Sequence, residues 1–247
     1  MEVVESFLSI QGEGEFSGRL AIFVRFAGCN LRCTGFGGQK ISPKTGQILL
    51  GCDTIKAAQS EHFKESLGYK KLDFNALCEL IKSFNAPAAI VVLTGGEPLL
   101  HLKNAHFKAF IAYLIEQKRL VQFESNGTIC PDFSKFPALK ACHFALSVKL
   151  ANSGESKEKR INSLALKSIF ANAKAFYKFV LSGRDDEIDE INEILALQNG
   201  QVWLMPLAAS KKELETLAPK IAKIAIKSGF NYSDRLHIRL WDSKEGV

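Results

Sequence analysis

The amino-acid sequence predicts an α/β fold, a partial or modified (β/α)6 barrel of parallel strands with helices outside. Short apolar segments rich in β-branched residues alternate with longer amphipathic segments along the 247 residues, and about six such strand–helix units imply a parallel sheet. The 47% apolar content is enough for one large core, since a chain of this size buries roughly 75% of its unfolded surface. An open, doubly wound sheet is the alternative. In either architecture, ligands gather at the carboxyl ends of the strands.

The segments predicted as strands are short, apolar and bounded by polar or glycine-containing stretches. They cover residues 20–26, 88–93, 120–124, 143–148, 175–181, 202–205 and 236–241.

The helices are predicted from apolar residues at helical spacing. They cover residues 73–84, 104–117, 163–172, 185–197 and 210–227. Asp73 and Ser210 are predicted N-caps, and Glu213 completes a capping box with Ser210. Gly229 is predicted to end the last helix as its C′ residue.

Residues 1–247 are predicted to form a single domain with one irregular insertion at about residues 34–69, because that stretch has no clear periodicity. Structureless segments of this length are uncommon unless they are functional. The first six residues have neither the basic nor the apolar region of a signal peptide. The longest apolar run, 86–93, is far short of the ~18 residues of a membrane span. We therefore expect a cytoplasmic protein without a membrane partner.

The positive charge does not predict a nucleic-acid partner. The formal net charge is +6, but the lysines are spread along predicted helices and do not form the run that is typical of a nucleic-acid-binding arm. Solubility is the favoured explanation, and an anionic substrate is another.

Six cysteines occur, at positions 29, 33, 52, 78, 130 and 142. In a reducing cytoplasm, clustered cysteines more often bind metal than form disulfides. Cys29 and Cys33 follow a predicted strand, and Cys52 lies in the irregular insertion. Three thiolates can hold an iron–sulfur cluster and leave one iron open to a ligand. Zinc binding and simple burial remain alternatives, and Cys130 is the rival third ligand because it precedes Pro131 in a loop.

A glycine-rich turn, Thr94-Gly-Gly-Glu-Pro98, follows the second predicted strand. Its two glycines allow a ligand to approach the backbone closely, and Glu97 offers an acceptor for an ammonium group. An ordinary tight turn is the alternative.

Five segments together carry a resemblance: SIQGEG (9–14), FVRFAGCNLRC (23–33), CDT (52–54), TGGEP (94–98) and ESNGT (124–128). They are similar to the 7-carboxy-7-deazaguanine synthase family of the radical S-adenosylmethionine superfamily, over about residues 9–241. The resemblance implies a radical ring contraction of 6-carboxy-5,6,7,8-tetrahydropterin to 7-carboxy-7-deazaguanine with loss of ammonia, in queuosine biosynthesis. It implies a 4Fe-4S cluster, S-adenosylmethionine and Mg²⁺ as cofactors, an electron donor such as flavodoxin, and a homodimer.

The resemblance also implies roles for individual residues, while the radical itself is generated on the cofactor and no side chain is expected to be catalytic. The implied metal ligands are Cys29, Cys33 and Cys52 for the cluster and Thr54 for Mg²⁺. The implied cofactor-binding residues are Gly96, Glu97, Ser125, Ser147, Val148, Lys149, Met205 and Pro206. The implied substrate-binding residues are Ile10, Gln11, Gly12, Glu13, Arg25, Thr94, His237 and Val247.

Two of these assignments have plain structural alternatives. Thr54 could instead be a helix N-cap. Arg25 could form a surface ion pair, which its place between Val24 and Phe26 in an apolar strand disfavours because a buried charge needs a partner.

The sequence departs from the family pattern at several positions. Phe36 stands where the third cysteine is usual, and an insertion separates Cys33 from Cys52. Gly51, Val148 and Met205 replace a usual aromatic residue, proline and glutamine.

Two other functions are kept as alternatives. An activase of glycyl-radical enzymes would share the cluster motif but gives no reason for residues 11–13 or Arg25. A zinc-stabilised RNA-binding domain is disfavoured because no basic stripe or nucleic-acid-binding motif is present.

Overall fold

One nine-stranded sheet runs through the part of the chain that the computed structural model describes, residues 1–244 and 246–247. The strands are β1 (Glu2–Ile10), β2 (Leu20–Phe26), β3 (Gly38–Ile41), β4 (Ile48–Gly51), β5 (Lys70–Lys71), β6 (Ile90–Gly95), β7 (Val121–Ser125), β8 (His143–Leu146), β9 (Lys174–Leu181), β10 (Val202–Pro206) and β11 (Asn231–Tyr232). The helices are α1 (Ile55–Ala58), α2 (Phe74–Ser83), α3 (Ala105–Glu116), α4 (Lys157–Arg160), α5 (Ser163–Asn172), α6 (Glu187–Leu197), α7 (Lys211–Ser228) and α8 (Leu236–Trp241).

The central strands are parallel and follow one another in space as they do along the chain. The sheet order is β5-β1-β2-β6-β7-β8-β9-β10-β11, with parallel pairing from β2 to β11 and antiparallel pairing of β1 with both neighbours. A doubly wound sheet reverses its strand order at a switch point, and no reversal occurs here. The predicted parallel sheet is confirmed, and the doubly wound alternative is wrong.

Alternation along the strands separates two faces of the sheet. In β2, Ile22 and Val24 belong to the main core, together with residues of α2, α3, α5, α6 and α7 that cover this face. The intervening side chains face the other way, because successive side chains of a strand point to opposite sides. Near the strand starts these are apolar, as with Phe23 and Val92, which form a second cluster with Phe16.

Most predicted elements lie within two residues of the observed ones, and their caps follow the predicted chemistry. The Asp73 carboxylate accepts a hydrogen bond from Ala76 N at 2.9 Å, and the Ser210 hydroxyl accepts one from Glu213 N at 3.3 Å. Gly229 ends α7 in the left-handed conformation, at φ 70°. At the N-terminus of α7, the predicted capping box differs in one bond: the Glu213 carboxylate accepts a hydrogen bond from Ala209 N, not from Ser210 N.

The predicted strand at residues 236–241 is wrong, because these residues form helix α8. The adjacent sheet edge is occupied by β11, and Ile238 packs instead with Ala208, Leu214 and Ala218. Local alternation is overridden here by tertiary packing.

The segment predicted as irregular contains a hairpin of β3 and β4 followed by α1, and β1 is a further strand that the sequence did not predict. Among the described residues, no helix combines the length and apolar character that a membrane crossing needs.

Candidate active site at the carboxyl ends of the strands

Three free thiols lie together beyond the end of β2. Burial raises the pKa of Cys29 to about 12, and the neighbouring Cys33 and Cys52 raise it as well. Burial likewise raises the pKa of Cys33 to about 11, and Cys52 again contributes. Cys52 Sγ lies 3.2 Å from the Thr54 hydroxyl. Cys130, in contrast, is exposed in a surface depression that Ser168 and Asn172 also line.

This donor set fits an iron–sulfur cluster. Cysteine thiolates are the usual cluster ligands, and each thiolate of a four-iron cluster binds a different iron. Such a site does not require its sulfurs at the spacing of ligands around one ion. Among the described residues, no three His, Cys, Asp or Glu side chains are grouped as ligands of a single metal ion.

The glycine turn at the end of β6 lies directly against the cysteine loop. Glu97 N donates to the Gly28 carbonyl at 2.8 Å, and Gly28 N donates to the Ala57 carbonyl of α1 at 2.8 Å. A Cβ on Gly96 would lie only 2.2 Å from that Gly28 oxygen and 2.8 Å from Cys29 Cβ. Only glycine therefore fits at position 96, because the turn packs directly against the backbone of the cysteine loop.

The Glu97 carboxylate is buried and joins the ends of β6 and β7. Its Oε1 accepts from Leu99 N and the Ser125 hydroxyl, both at 3.0 Å, and its Oε2 accepts from Asn126 N at 2.7 Å. Burial raises the pKa of Glu97 to about 7, against the effect of these bonds. A carboxylate offers about four acceptor positions, so one position on Oε2 is left for a ligand such as an ammonium group.

A second polar group fills the opposite face of the sheet at the strand ends. Arg25 of β2, Thr94 of β6, Glu124 of β7 and Lys178 of β9 occupy alternate positions that continue the apolar Phe23–Val92 face. The Thr94 hydroxyl donates to Glu124 Oε2 at 3.2 Å. The face thus changes from apolar to charged as it reaches the carboxyl ends, where ligands bind in parallel α/β folds.

Glu13 is the centre of this polar group. Its Oε2 lies 2.9 Å from Lys178 Nζ, and its Oε1 lies 3.0 Å from Arg235 Nε and 4.0 Å from His237 Nε2. Burial is the largest single influence and raises the pKa of Glu13, but the surrounding cations together lower it far below its ordinary value. Glu13 is therefore an ionised carboxylate in a buried site.

Gln11 extends this network. Its side-chain amide donates to Glu124 Oε1 at 3.2 Å and to Gln122 Oε1 at 3.4 Å, and its oxygen accepts from Glu13 N at 3.2 Å. The buried Gln122 Nε2 has no hydrogen-bond partner among the described residues. A buried donor of this kind favours a polar ligand or a water molecule in the same space.

The remaining predicted substrate residues lie around the same network. Ile10 ends β1 and leads into Gly12, where a Cβ would lie 2.3 Å from His237 Nδ1. Arg25 donates from Nε to Glu5 at 2.7 Å, so it does form an ion pair, which the sequence analysis disfavoured. The arginine side chain is nevertheless largely buried. Val247 is partly buried at the end of the chain, and its substrate role stays a prediction.

The predicted cofactor residues lie at neighbouring strand ends. Ser147 N donates to the Ser125 carbonyl at 2.7 Å, and Lys149 Nζ donates to the Ser147 hydroxyl at 2.9 Å. Lys149 Nζ also lies 5.5 Å from the centre of the Phe36 ring. Val148, Met205 and Pro206 are buried.

Thr54 occupies the N-cap position of α1, but its hydroxyl makes no capping hydrogen bond. The hydroxyl faces Cys52 instead. The alternative of a structural cap therefore does not account for its side chain.

Two charged residues of the site, Lys178 and Arg235, lie in none of the motifs of the sequence analysis, and Asp53 belongs to the CDT segment without an assigned role. Lys178 lies in an apolar strand, which is the signal that was used for Arg25 and that would also have identified Lys178. Arg235 contacts Glu13 across 222 positions of sequence, and no local pattern indicates such a pair.

Comparison with known proteins agrees with this geometry. A sequence model of the family described as a 4Fe-4S single cluster domain matches residues 10–170, more than half of the chain. A 7-carboxy-7-deazaguanine synthase from Hyperthermus butylicus is 32% identical over an alignment of 243 positions that covers 96% of this chain and 92% of that protein. Another, from Pyrobaculum aerophilum, is 30% identical over an alignment of 250 positions that covers 100% of this chain and 97% of that protein.

The fold is similar to a solved structure as well. The crystal structure of QueE from Escherichia coli superposes with a TM-score of 0.65 at 21% sequence identity, and the match covers 96% of this chain and 94% of that chain. This likeness concerns the fold, and it confirms the predicted barrel-type arrangement of parallel strands and outer helices.

Proposed function

Because this chain belongs to the 7-carboxy-7-deazaguanine synthase family, we propose that it converts 6-carboxy-5,6,7,8-tetrahydropterin to 7-carboxy-7-deazaguanine with loss of ammonia. The observation that carries the proposal is that three free thiols and a largely buried network of charged side chains around Glu13 lie at the same edge of the sheet. The enzyme uses a 4Fe-4S cluster and S-adenosylmethionine. When bound, these groups supply one-electron chemistry that removes a hydrogen atom from the substrate.

We assign the cluster to Cys29, Cys33 and Cys52. Gly96 lets the glycine turn lie directly against Cys29, which brings Glu97 next to the cysteine loop, and Glu97 offers its remaining acceptor position to the methionyl ammonium group. Ser125, Ser147, Val148, Lys149, Met205 and Pro206 line the neighbouring strand ends and complete the cofactor site in this assignment.

We assign this charged network to the binding of the pterin, and we call its residues the pterin pocket. Glu13 is held ionised, and a largely buried carboxylate makes strong hydrogen bonds to the N–H donors of a pterin ring. Ile10, Gln11, Gly12, Thr94 and His237 surround it. Arg25 uses Nε for Glu5, and its two terminal nitrogens, which bond no group among the described residues, provide a fork for the substrate carboxylate.

Thr54 is assigned to Mg²⁺ together with oxygen atoms of the substrate. Its hydroxyl is not used for capping, and Mg²⁺ takes oxygen ligands, often from the substrate itself. We further propose a cytoplasmic homodimer that receives electrons from a flavodoxin-type donor.

The test is anaerobic turnover of the chemically reduced protein with S-adenosylmethionine and the carboxytetrahydropterin. We expect the deazaguanine chromophore, and its loss when EDTA removes Mg²⁺. Cofactor cleavage without pterin consumption and without Mg²⁺ dependence would favour a glycyl-radical activase. A colourless protein that contains zinc and no sulfide would favour the RNA-binding alternative.

Iron and sulfide analysis tests the ligand assignment with a matched pair of variants. Cys52→Ala should lose the cluster, and Cys130→Ala should retain it. The reverse result would move the third ligand to Cys130.

A further inference from the structure

Arg235 connects three parts of the site that are far apart in sequence. It donates from Nε to Glu13 Oε1 at 3.0 Å, from Nη2 to Asp53 Oδ2 at 2.6 Å, and from Nη1 to the Ala208 carbonyl at 2.6 Å. Its side chain is only 10% exposed. Glu13 belongs to the pterin pocket, and Asp53 lies between Cys52 and Thr54. One planar guanidinium thus spans from the pocket to the cysteine loop.

The surrounding contacts fix this arginine in place. Leu236 N donates to the Gly12 carbonyl at 3.0 Å, so the chain after Arg235 is bonded directly to the pocket segment. Asp234 accepts from Arg235 N at 2.9 Å. Each oxygen of Glu13 accepts one hydrogen bond, from Arg235 and from Lys178; this fixes the plane of the carboxylate and leaves acceptor positions for the substrate.

Stability alone does not account for the contact with Asp53. The Asp53 side chain is 58% exposed, and an exposed ion pair contributes little to stability. The bond between Arg235 and Asp53 instead fixes the relative positions of the groups that Arg235 contacts, because a guanidinium donates in a rigid fork that an ammonium cannot reproduce. The bond sets the distance between the Glu13 carboxylate and the Cys52-Asp53-Thr54 segment.

We propose that Arg235 is a positioning residue that holds the pterin pocket in register with the cysteine loop, so that cofactor cleavage is coupled to conversion of the pterin. This inference rests on the proposed function. Arg235 acts through Glu13 on the substrate and through Asp53 on the loop. A misplaced substrate would then leave cofactor cleavage possible while lowering the share of cleavage events that yield product.

The experiment compares the cluster-loaded wild type with Arg235→Lys and Asp53→Asn. The exposed and ion-paired Arg184→Met serves as the matched control. Two quantities are measured: the ratio of 5′-deoxyadenosine to deazaguanine formed, and the Kd of the pterin for the unreduced protein by anaerobic calorimetry. Iron content and Tm establish that each variant is folded and loaded.

We expect Arg235→Lys to raise the ratio at least threefold and the Kd about tenfold, with iron content unchanged. Asp53→Asn should raise the ratio in the same direction. If both act through one contact, the double variant should be no worse than the poorer single variant, since residues in one network are not additive. Arg184→Met should match the wild type.

A ratio and Kd within twofold of the wild type for Arg235→Lys would overturn the inference, as would additive effects of the two substitutions. If the wild type converts the pterin and Arg235→Lys does so equally well, only the role of Arg235 is refuted. If the wild type cleaves the cofactor but leaves the pterin unchanged, the proposed function itself fails, and the role of Arg235 fails with it.

Discussion

Lys178 is the position at which a single substitution should reveal the charge arrangement of the pocket. Its side chain is 3% exposed, and Nζ lies 2.9 Å from Glu13 Oε2 and 3.1 Å from Glu124 Oε1. In Lys178→Met the two carboxylates lose the ammonium that they share. Glu13 keeps Arg235, whereas Glu124 keeps only hydrogen bonds from Gln11 and Thr94 among the described residues.

The expected loss of stability follows from these partners. Removing one member of a buried ion pair costs about 3–5 kcal/mol, because the other charge is left uncompensated. The Glu124 side chain is 21% exposed and Glu13 retains a cation, so we expect the lower end, about 3 kcal/mol. For a chain of this length that corresponds to a fall in Tm of about 6–12 °C.

The loss should depend on pH in a defined direction. The pKa of Glu13 is lowered from 4.5, so its contribution to stability is present above that value and is lost as the pH falls. The pKa of Lys178 is raised from 10.5, although burial opposes the effect, so Lys178 stays charged across the neutral range. In the Met variant, protonation of a carboxylate relieves the uncompensated charge. The Tm difference should therefore shrink from pH 7.5 to pH 5.5.

Anaerobic thermal melting of the cluster-loaded proteins at both pH values measures this. Lys178→Arg keeps a cation and should melt closer to the wild type. Lys82→Met removes an exposed lysine paired with Glu79 and should melt like the wild type. If Lys178→Met melts within 2 °C of the wild type at pH 7.5, or its deficit grows at pH 5.5, the charge assignment is wrong.

Three further substitutions test other parts of the site and the scaffold. Gly96→Ala places a Cβ 2.2 Å from the Gly28 carbonyl; since such overpacking costs about 1–3 kcal/mol, we expect about tenfold weaker binding of S-adenosylmethionine in equilibrium dialysis. Gly12→Ala brings a Cβ to 2.3 Å from the His237 ring and should raise KM for the pterin while cofactor affinity is unchanged; an unchanged KM would place His237 outside the pocket. In Glu187→Gln, an amide NH2 group replaces one of the two carboxylate oxygens that now accept hydrogen bonds from surrounding donors. The donors left unpaired should lower Tm by about 2–8 °C without changing the Kd of the pterin.

The sequence predicted the fold wherever a local signal decides the structure. Strand 20–26 and helix 163–172 match the observed bounds, because apolar periodicity and capping act over a few residues. Residues 236–241 were predicted wrongly, since their alternation is compatible with either element and the neighbouring sheet edge decided between them. β1 was not predicted because polar residues interrupt its apolar pattern; it lies next to the edge of the sheet, where only the two-residue β5 pairs with it, at Glu2 and Val3.

The site was predictable to the extent that its residues lie in short motifs. The thiols, the glycine turn and Gln11 to Glu13 lie in such motifs. Lys178 could have been identified from its apolar strand, by the argument that a buried charge needs a partner. Arg235 could not, because its role depends on contacts with Glu13 and Asp53 that exist only in the folded chain.

The register of the β3–β4 hairpin explains how Cys33 and Cys52 can lie close together although many residues separate them in the sequence. Gly38 pairs with Gly51 in the antiparallel β3–β4 ladder, and Ile41 pairs with Ile48. Paired strands lie about 5 Å apart, so the chain leaves and re-enters the cysteine loop at nearly the same point. The inserted residues lengthen the sequence without separating the ends of the loop. Distance along the sequence is therefore a poor guide to the proposed third ligand. The Cys-Asp-Thr segment is a better guide, because Arg235 holds its Asp53 in place by a hydrogen bond.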